Sequence, residues 1–368
     1  MRLSDLPTPC AVVDLDVVEA NTRRMSERAR VLGVRLRPHV KTHKTLEAAG
    51  LSVQEEFGGI TVSTLKEGRF FAEHGFGDIT YAVPLVPSKL DEALELEARV
   101  EHLHLLVDDL RCLEALDSAA ASRGVCASVF LKVDCGYHRA GVDPESEEAL
   151  TLARRMAGAS HVRFAGVLTH AGQAYAARDR AELSAIAEVE RRVTVAFAER
   201  LRADGLPVPE VSIGSTPTLS VVEALAGVDE VRPGNYVFYD LHQVALGACR
   251  PQDVALTVLA TVIGVYPRRS SVLVDAGALA LGKDGGATHL DADFGMGRLV
   301  APESAAGLRL CGLSQEHGQL GEGGSALRIG ERVRIAPNHS CLTAALHEAY
   351  WVVRGEDVIE RWEPVRGW

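Results

Sequence analysis

Arg37, His39 and Lys41 alternate along Arg35-Leu36-Arg37-Pro38-His39-Val40-Lys41-Thr42-His43-Lys44. On an extended strand they share one face, while Val34, Leu36 and Val40 take the other. A row of inward cations ending in lysine is costly unless something anionic or electrophilic lies against it. The plain alternative is a solvated edge strand. An amine crowded by other cations has its charged form disfavoured and becomes a nucleophile toward a carbonyl carbon. Lys41 suits that role better than Lys44, because it continues the face of Arg37 and His39, whereas Lys44 falls in the loop or helix that follows.

Four other stretches carry groups of the same kind: Lys132-Val133-Asp134-Cys135-Gly136-Tyr137-His138-Arg139-Ala140-Gly141, Thr169-His170-Ala171-Gly172-Gln173-Ala174-Tyr175, Gly214-Ser215-Thr216-Pro217 and Arg232-Pro233-Gly234-Asn235-Tyr236. Taken singly, each has a simple structural explanation. His170 could be a satisfied core histidine, Gly-Ser-Thr-Pro a turn, and Arg139 the partner of Asp134. Together they suggest a site for an anionic ring. Gly214, Ser215 and Thr216 offer amides and hydroxyls just before a helix, which suits a phosphate. Gly234 and Asn235 offer a second set of amides, and His170 could lie flat against a ring. With Lys41 as a Schiff-base nucleophile near Arg37 and Arg139, the set fits pyridoxal 5'-phosphate (PLP).

A separate pair, His339 and Cys341 in Pro337-Asn338-His339-Ser340-Cys341, would point the same way on a strand. Imidazole and thiolate are zinc ligands, and two protein ligands suit an open catalytic site better than a closed structural one. His-x-Cys also arises by chance, so the pair alone is weak. Glu316-His317-Gly318 is a further polar cluster that nothing in the sequence places near the metal pair.

These residues need a scaffold. Apolar strand candidates run Val34–Val40, Ile60–Ser63, Ile79–Val83, His102–Val107, Val125–Val133, Val162–Thr169, Glu210–Ile213 and Val228–Arg232. Helical stretches lie between most of them, such as Pro87–Ala98, Leu110–Arg123, Ser146–Ala157 and Arg178–Ala203. Eight strand–helix units over roughly 220 residues predict an α/β chain with a parallel (β/α)8 TIM-type barrel, whose reactive groups gather at the C-terminal strand ends. Lys41, Arg139, His170, Gly214 and Gly234 all sit at such ends. The alternative is a doubly wound sheet, but no GxGxxG follows an early strand. Beyond Cys249 the pattern turns to short strands and Gly-rich turns, predicting a second, mainly β domain. The expected division is a barrel over 12–248 and a β domain over 249–368 joined by 1–11.

Composition bounds the partners. With 47% hydrophobic and 24% charged residues the chain reads as globular, and its net charge of −11 argues against nucleic acid or an anionic membrane as partner. There is no apolar run of bilayer length and no signal-peptide-like start. Seven cysteines without a CxxC pair suit reduced thiols, and a cytoplasmic location is expected.

The full set of motifs resembles the fold-type III PLP enzymes: Arg-Pro-His-x-Lys at 37–41, Asp-x-Gly-x-x-Arg-x-Gly at 134–141, Thr-His at 169–170, Gly-Ser-Thr-Pro at 214–217, Arg-Pro-Gly-Asn-Tyr at 232–236 and Pro-Asn-His-Ser-Cys at 337–341. More narrowly it resembles the D-serine dehydratase and D-threonine aldolase group, over nearly the whole chain and in order. The resemblance implies an alanine-racemase-like barrel plus β domain, assembled as a head-to-tail homodimer. It makes Lys41 the Schiff-base lysine and general base. Arg139 would approach the cofactor's phenolic oxygen and His170 would stack on its ring. Tyr175, Thr216, Gly234 and Asn235 would hold the cofactor, mainly at its phosphate. His339 and Cys341 would bind a divalent metal. Dehydratase members resemble this His-x-Cys, a soft pair suited to zinc; aldolase members carry His-x-Asp, a harder pair suited to manganese or magnesium. The implied activity is β-elimination from a D-3-hydroxy amino acid such as D-serine or D-threo-3-hydroxyaspartate. Rivals are a D-threonine aldolase, a racemase, a plain metal hydrolase and a non-catalytic PLP-binding protein.

Overall fold

A computed structural model describes residues 1–54, 56–321 and 327–368. They form two compact units: Met25–Gly234 with Val365–Trp368, and Met1–Arg24 with Asn235–Pro364. These boundaries differ from the expected 12–248, because helix Leu15–Leu32 is shared. Near its start, Asn21 donates its side-chain amide to the carbonyls of Val237 and Asp253, at 3.3 and 2.8 Å. Near its end, Arg28 donates to the carbonyls of Leu219 and Val222.

The first unit is the expected barrel. Its eight strands are Arg35–Leu36, Ile60–Val62, Asp78–Pro84, His102–Val107, Ala127–Lys132, Val162–Leu168, Glu210–Ile213 and Glu230–Val231. From Ile60–Val62 to Glu230–Val231 each pairs in parallel with the next, and the first pairs in parallel with the last. A parallel bridge between His39 and Thr61, with the Thr61 amide donating to the Pro38 carbonyl at 2.9 Å, closes the ring. Helices Leu65–Glu73, Leu90–Glu97, Leu110–Arg123, Glu147–Gly158 and Arg180–Ala203 lie between the strands. Polar caps start several of them: Asp109 accepts the amides of Arg111 and Cys112, and Asp179 accepts that of Glu182.

The first strand is shorter than the expected Val34–Val40. Pro38 has no N–H to give, and after His39 the chain tightens into a single 3₁₀ turn, Val40–Thr42. The face shared by Arg37, His39 and Lys41 therefore breaks. Arg37, 5% exposed, pairs instead with Glu230 at 2.5 Å and Asp78 at 2.5 Å. Burial opposes its charge, but the two carboxylates raise its pKa above the usual value. Arg37 is thus a compensated buried ion, and the solvated-edge alternative is excluded.

The second unit is a nine-stranded sheet. Its N-terminal strand Cys10–Asp14 lies between Leu256–Tyr266, antiparallel, and Tyr350–Arg354, parallel. Strand Arg332–Ala336 pairs with Leu256–Tyr266 and carries the chain to Pro337 and the metal-pair motif. Val258, Val262, Val274, Leu310 and Ile335 form its apolar core. No helix among the described residues is long and apolar enough to cross a membrane.

Candidate active site

Within the barrel unit, Lys41 lies in the turn Val40–Thr42 just beyond the first strand. The Lys41 amide donates to Nδ1 of His39 at 3.4 Å, the long edge of a hydrogen bond. The charges that bear on His39 come from Lys41, Arg232 and His170, and those on His170 from Lys41, Lys132, Arg139 and Arg232. The strand ends therefore do converge. The buried arginine of the mouth is Arg232, however, and not Arg37, which is occupied by its two carboxylates.

Burial, followed by the charge of Lys41, holds both His39 and His170 well below the ordinary histidine pKa. Both rings are neutral at physiological pH. A neutral imidazole can lie against an aromatic ring while the surrounding lysines and arginines attract an anion. His170 meets the Tyr137 ring edge-on, with centroids 6.4 Å apart. The Arg139 guanidinium sits over the same ring at 5.0 Å, close enough for a cation–π contact. Asp134 is not the partner of Arg139: it accepts the amides of Gly136 and His138 and bonds the His138 ring at 2.8 Å.

The phosphate turn is only partly as expected. Ser215 caps helix Thr216–Val221, and Gly214 has φ +96°, a conformation in which a β-carbon is strained and would also press on Val231 at 3.3 Å. The Gly214 amide, however, donates to Glu190 and the Ser215 amide to Thr218 Oγ1, at 3.2 and 2.9 Å. Thr216 stands at the first position of the helix. Gly234 packs against His39, where a β-carbon would lie 2.5 Å from the His39 carbonyl oxygen. The side chain of Asn235 bonds Asp240 at 2.7 Å and Ser340 at 3.1 Å, and its carbonyl accepts the amides of Phe238 and Tyr239. Tyr175 lies half-buried in the 3₁₀ turn Gly172–Ala176.

A concentration of cations and neutral imidazoles in a chain of net charge −11 is the donor chemistry an anionic ring cofactor requires. Two members of this mouth were not anticipated. Lys132, 6% exposed, has its pKa lowered to about 8 by burial and by Arg232. Glu190 comes from a helix rather than a strand end. A charged residue on the apolar stripe of Arg180–Ala203 is the signal that marks it.

The metal pair lies in the sheet unit. His339 and Cys341 are not on a strand: His339 is the extended residue before helix Ser340–Ala345, and Cys341 is in its first turn. Asp240 brings this about. It accepts the Ser340 amide at 3.0 Å while also capping helix Leu241–Ala245 through the Gln243 amide at 2.9 Å. The two side chains still meet, for His339 bonds Cys341 and its Nδ1 faces Asp284 Oδ2 at 2.9 Å. Burial opposes charge on His339, but Asp284 and Cys341 raise its pKa to about 11. A position so favourable to positive charge suits a cation, and a carboxylate behind the imidazole is the usual orienting partner of a metal-binding histidine. Among the described residues no group of three or more His, Cys, Asp or Glu is placed to hold a metal ion. Glu316 and His317 are exposed in the turn between strands Leu310–Leu313 and Gly318–Leu320. Asp284, in a Gly-rich stretch that reads only as a loop, is the unanticipated member here.

The chain resembles known proteins along its whole length. Residues 13–242 match the alanine racemase N-terminal domain and residues 255–353 a serine dehydratase domain. The chain is 41% identical to a D-threo-3-hydroxyaspartate dehydratase from Delftia sp. (strain HT23), over all of this chain and 99% of that one. It is 38% identical to a D-serine dehydratase from Dictyostelium discoideum, over all of this chain and 98% of that one. A D-threonine aldolase from Arthrobacter sp. is 30% identical, over 98% of this chain and 93% of its own. The solved Delftia dehydratase superposes over the whole of both chains with a TM-score of 0.94 at 40% identity, and a variant of it has been solved in a metal-free form. The chain accordingly belongs to the family that joins an alanine racemase N-terminal domain to a serine dehydratase domain, and it is a lyase of that family.

Proposed function

We propose that the protein is a PLP- and zinc-dependent dehydratase of D-3-hydroxy amino acids, converting D-serine to pyruvate and ammonia or D-threo-3-hydroxyaspartate to oxaloacetate and ammonia. The observation that carries this reading is the His339–Cys341 pair braced by Asp284. Imidazole with thiolate favours zinc over the harder ions, and a β-hydroxyl leaves more readily when a Lewis acid withdraws charge from it. The metal-free form of the Delftia variant supports a metal in that relative.

When bound, PLP supplies an electron sink for charge developing at Cα, and a divalent metal on His339 and Cys341 supplies polarisation of the β-oxygen. The chain's own groups do the rest. Lys41 would hold the cofactor through its amine, and in the reaction its Nζ would serve as the base that takes the α-proton. His170, kept neutral, offers a flat face without competing for that proton. Arg139 and Arg232 hold the mouth positive against the substrate carboxylate and the phosphate. Thr216, the backbone of Gly234 and Asn235, and Tyr175 would retain the cofactor. The elimination removes the α-proton and the β-hydroxyl as water; the enamine released takes up water and gives the 2-oxo acid and ammonia. A head-to-tail homodimer, in a cytoplasmic setting, accompanies this reading.

A D-threonine aldolase is the second reading, favoured by the 30% identity to the Arthrobacter aldolase. Purified protein supplied with PLP and assayed on D-serine, D-threo-3-hydroxyaspartate and D-threonine, with and without chelator, separates the two. We expect a 2-oxo acid and ammonia from the first two substrates, with turnover lost to chelator and restored by zinc. Glycine and an aldehyde as the main products would establish the aldolase. Cofactor uptake with no turnover of any D-amino acid would leave a PLP-binding protein.

A further inference from the structure

Helix Arg180–Ala203 buries Leu183, Ala187, Thr194, Ala198 and Leu201 along one stripe, and Glu190 stands in the middle of it. Glu190 is 1% exposed. A carboxylate in that position is costly unless its oxygens are used. They are used by the two loops that flank the mouth. Oε1 accepts the Ala171 amide at 2.9 Å and the Gly214 amide at 3.2 Å. The Thr218 side chain also bonds the carboxyl group, and Thr218 Oγ1 accepts the Ser215 amide at 2.9 Å. Ala171 follows His170 directly, and Gly214 and Ser215 lead into Thr216.

We propose that Glu190 is a positioning residue. Its carboxyl group ties the loop bearing His170 to the turn Gly214–Thr216, so that the ring-facing imidazole and the phosphate-facing turn are set by one acceptor. The assignment rests on the reading of the mouth as a PLP site. It also explains why the Gly214 and Ser215 amides do not face an anion: they are used to shape the turn that presents Thr216. The competing role is purely electrostatic, with Glu190 as a counter-charge to Arg232, whose field it shares.

Two substitutions separate these roles. Glu190→Gln keeps an acceptor oxygen at the same reach but removes the charge, while Glu190→Asp keeps the charge but withdraws it by one methylene. Cofactor-free wild type and both variants are titrated with PLP, read by visible absorbance and by tryptophan fluorescence, with circular dichroism to check folding. A positioning role predicts that Glu190→Gln binds PLP within about threefold of wild type. It predicts that Glu190→Asp, leaving buried amides unpaired, loses roughly ten- to hundredfold and shifts the absorbance toward that of free PLP. The reverse order, with Asp retaining and Gln losing affinity, would overturn the assignment in favour of the counter-charge, and equal binding by all three would overturn it outright. If Glu190→Asp does not fold, Glu190→Gln decides alone: retained affinity supports the acceptor role and a tenfold loss refutes it. Wild type that takes up no PLP at all would instead overturn the cofactor reading.

Discussion

Lys41 and Lys44 stand three residues apart and do different work. Lys44, with φ +57°, reaches Glu67 at 2.8 Å, and Glu67 is 1% exposed. That lysine is committed to neutralising a buried carboxylate. Lys41 belongs to the turn among His39, His170 and Arg232. Lys41→Ala should therefore abolish the visible absorbance of the PLP-loaded protein and lower turnover by at least about a hundredfold, the scale of a lost general base. Lys44→Ala should keep the absorbance and lower thermal stability, because Glu67 loses its partner, at about 1–3 kcal/mol for a buried group left unsatisfied. Spectra and melting curves of both variants check this. The opposite assignment of absorbance would make Lys44 the nucleophile. Arg37 shows what a strand pattern cannot convey. Alternation placed it beside Lys41, but its fate was decided by Glu230 and Asp78, residues of other strands that no local pattern names.

At the level of elements, the metal pair depends on two short helices stapled by one aspartate. Asp240 caps Leu241–Ala245, receives the Ser340 amide at the start of Ser340–Ala345, and receives the Asn235 side chain. Neither helix is long enough to persist by itself. Asp240→Ala should cost about 1 kcal/mol for the lost cap and reduce zinc retention about tenfold or more, the scale of a lost supporting contact at a metal site. PLP uptake, measured on the same protein, should change less than zinc retention, because Asp240 reaches the candidate cofactor residues through the side chain of Asn235. Metal analysis after dialysis beside an absorbance titration checks both halves; equal zinc retention by the variant would sink the idea. The helices of the barrel were readable from apolar spacing and Asp or Ser caps. The helix Ser340–Ala345 was not, since six residues give too little periodicity to distinguish it from a strand.

For the whole molecule, acid should be damaging in a defined range. Burial lowers the pKa of His43 to about 3 and that of His104 to about 4, where Arg37 adds to the effect. In the unfolded chain both titrate near the ordinary 6.5. Above that pH neither state holds the proton and there is no penalty. Below it the unfolded chain gains protons that the fold refuses, so stability falls with decreasing pH, by up to about 1.4 kcal/mol per pH unit for each histidine. The loss from His104 runs from about pH 6.5 to about 4, and that from His43 continues to about 3. The urea midpoint of the cofactor-free protein should drop between pH 7.5 and 5.5; an unchanged midpoint would refute it. The barrel itself was legible because all eight parallel strands are short apolar runs followed by helical or turn signals. The site was legible where its residues end strands. Glu190, Asp240 and Asp284 carry no such signal, because their meaning arises only from side chains brought in from elsewhere in the fold, whereas Lys132 does end its strand, Ala127–Lys132.

The ring of strands closes between Arg35–Leu36 and Glu230–Val231, the first and last of the eight. This seam has a consequence for how the protein is made. Nearly two hundred residues separate the strand before Lys41 from its hydrogen-bonding partner, so a growing chain emerging from the ribosome carries Lys41 long before that partner exists. Until Glu230 has been synthesised Arg37 lacks one of its two carboxylates, and until Arg232 follows, the mouth lacks its buried arginine. Contacts of such sequence separation are the slow ones to form. The surroundings of Lys41 are therefore complete only once the last strand of the barrel has been made.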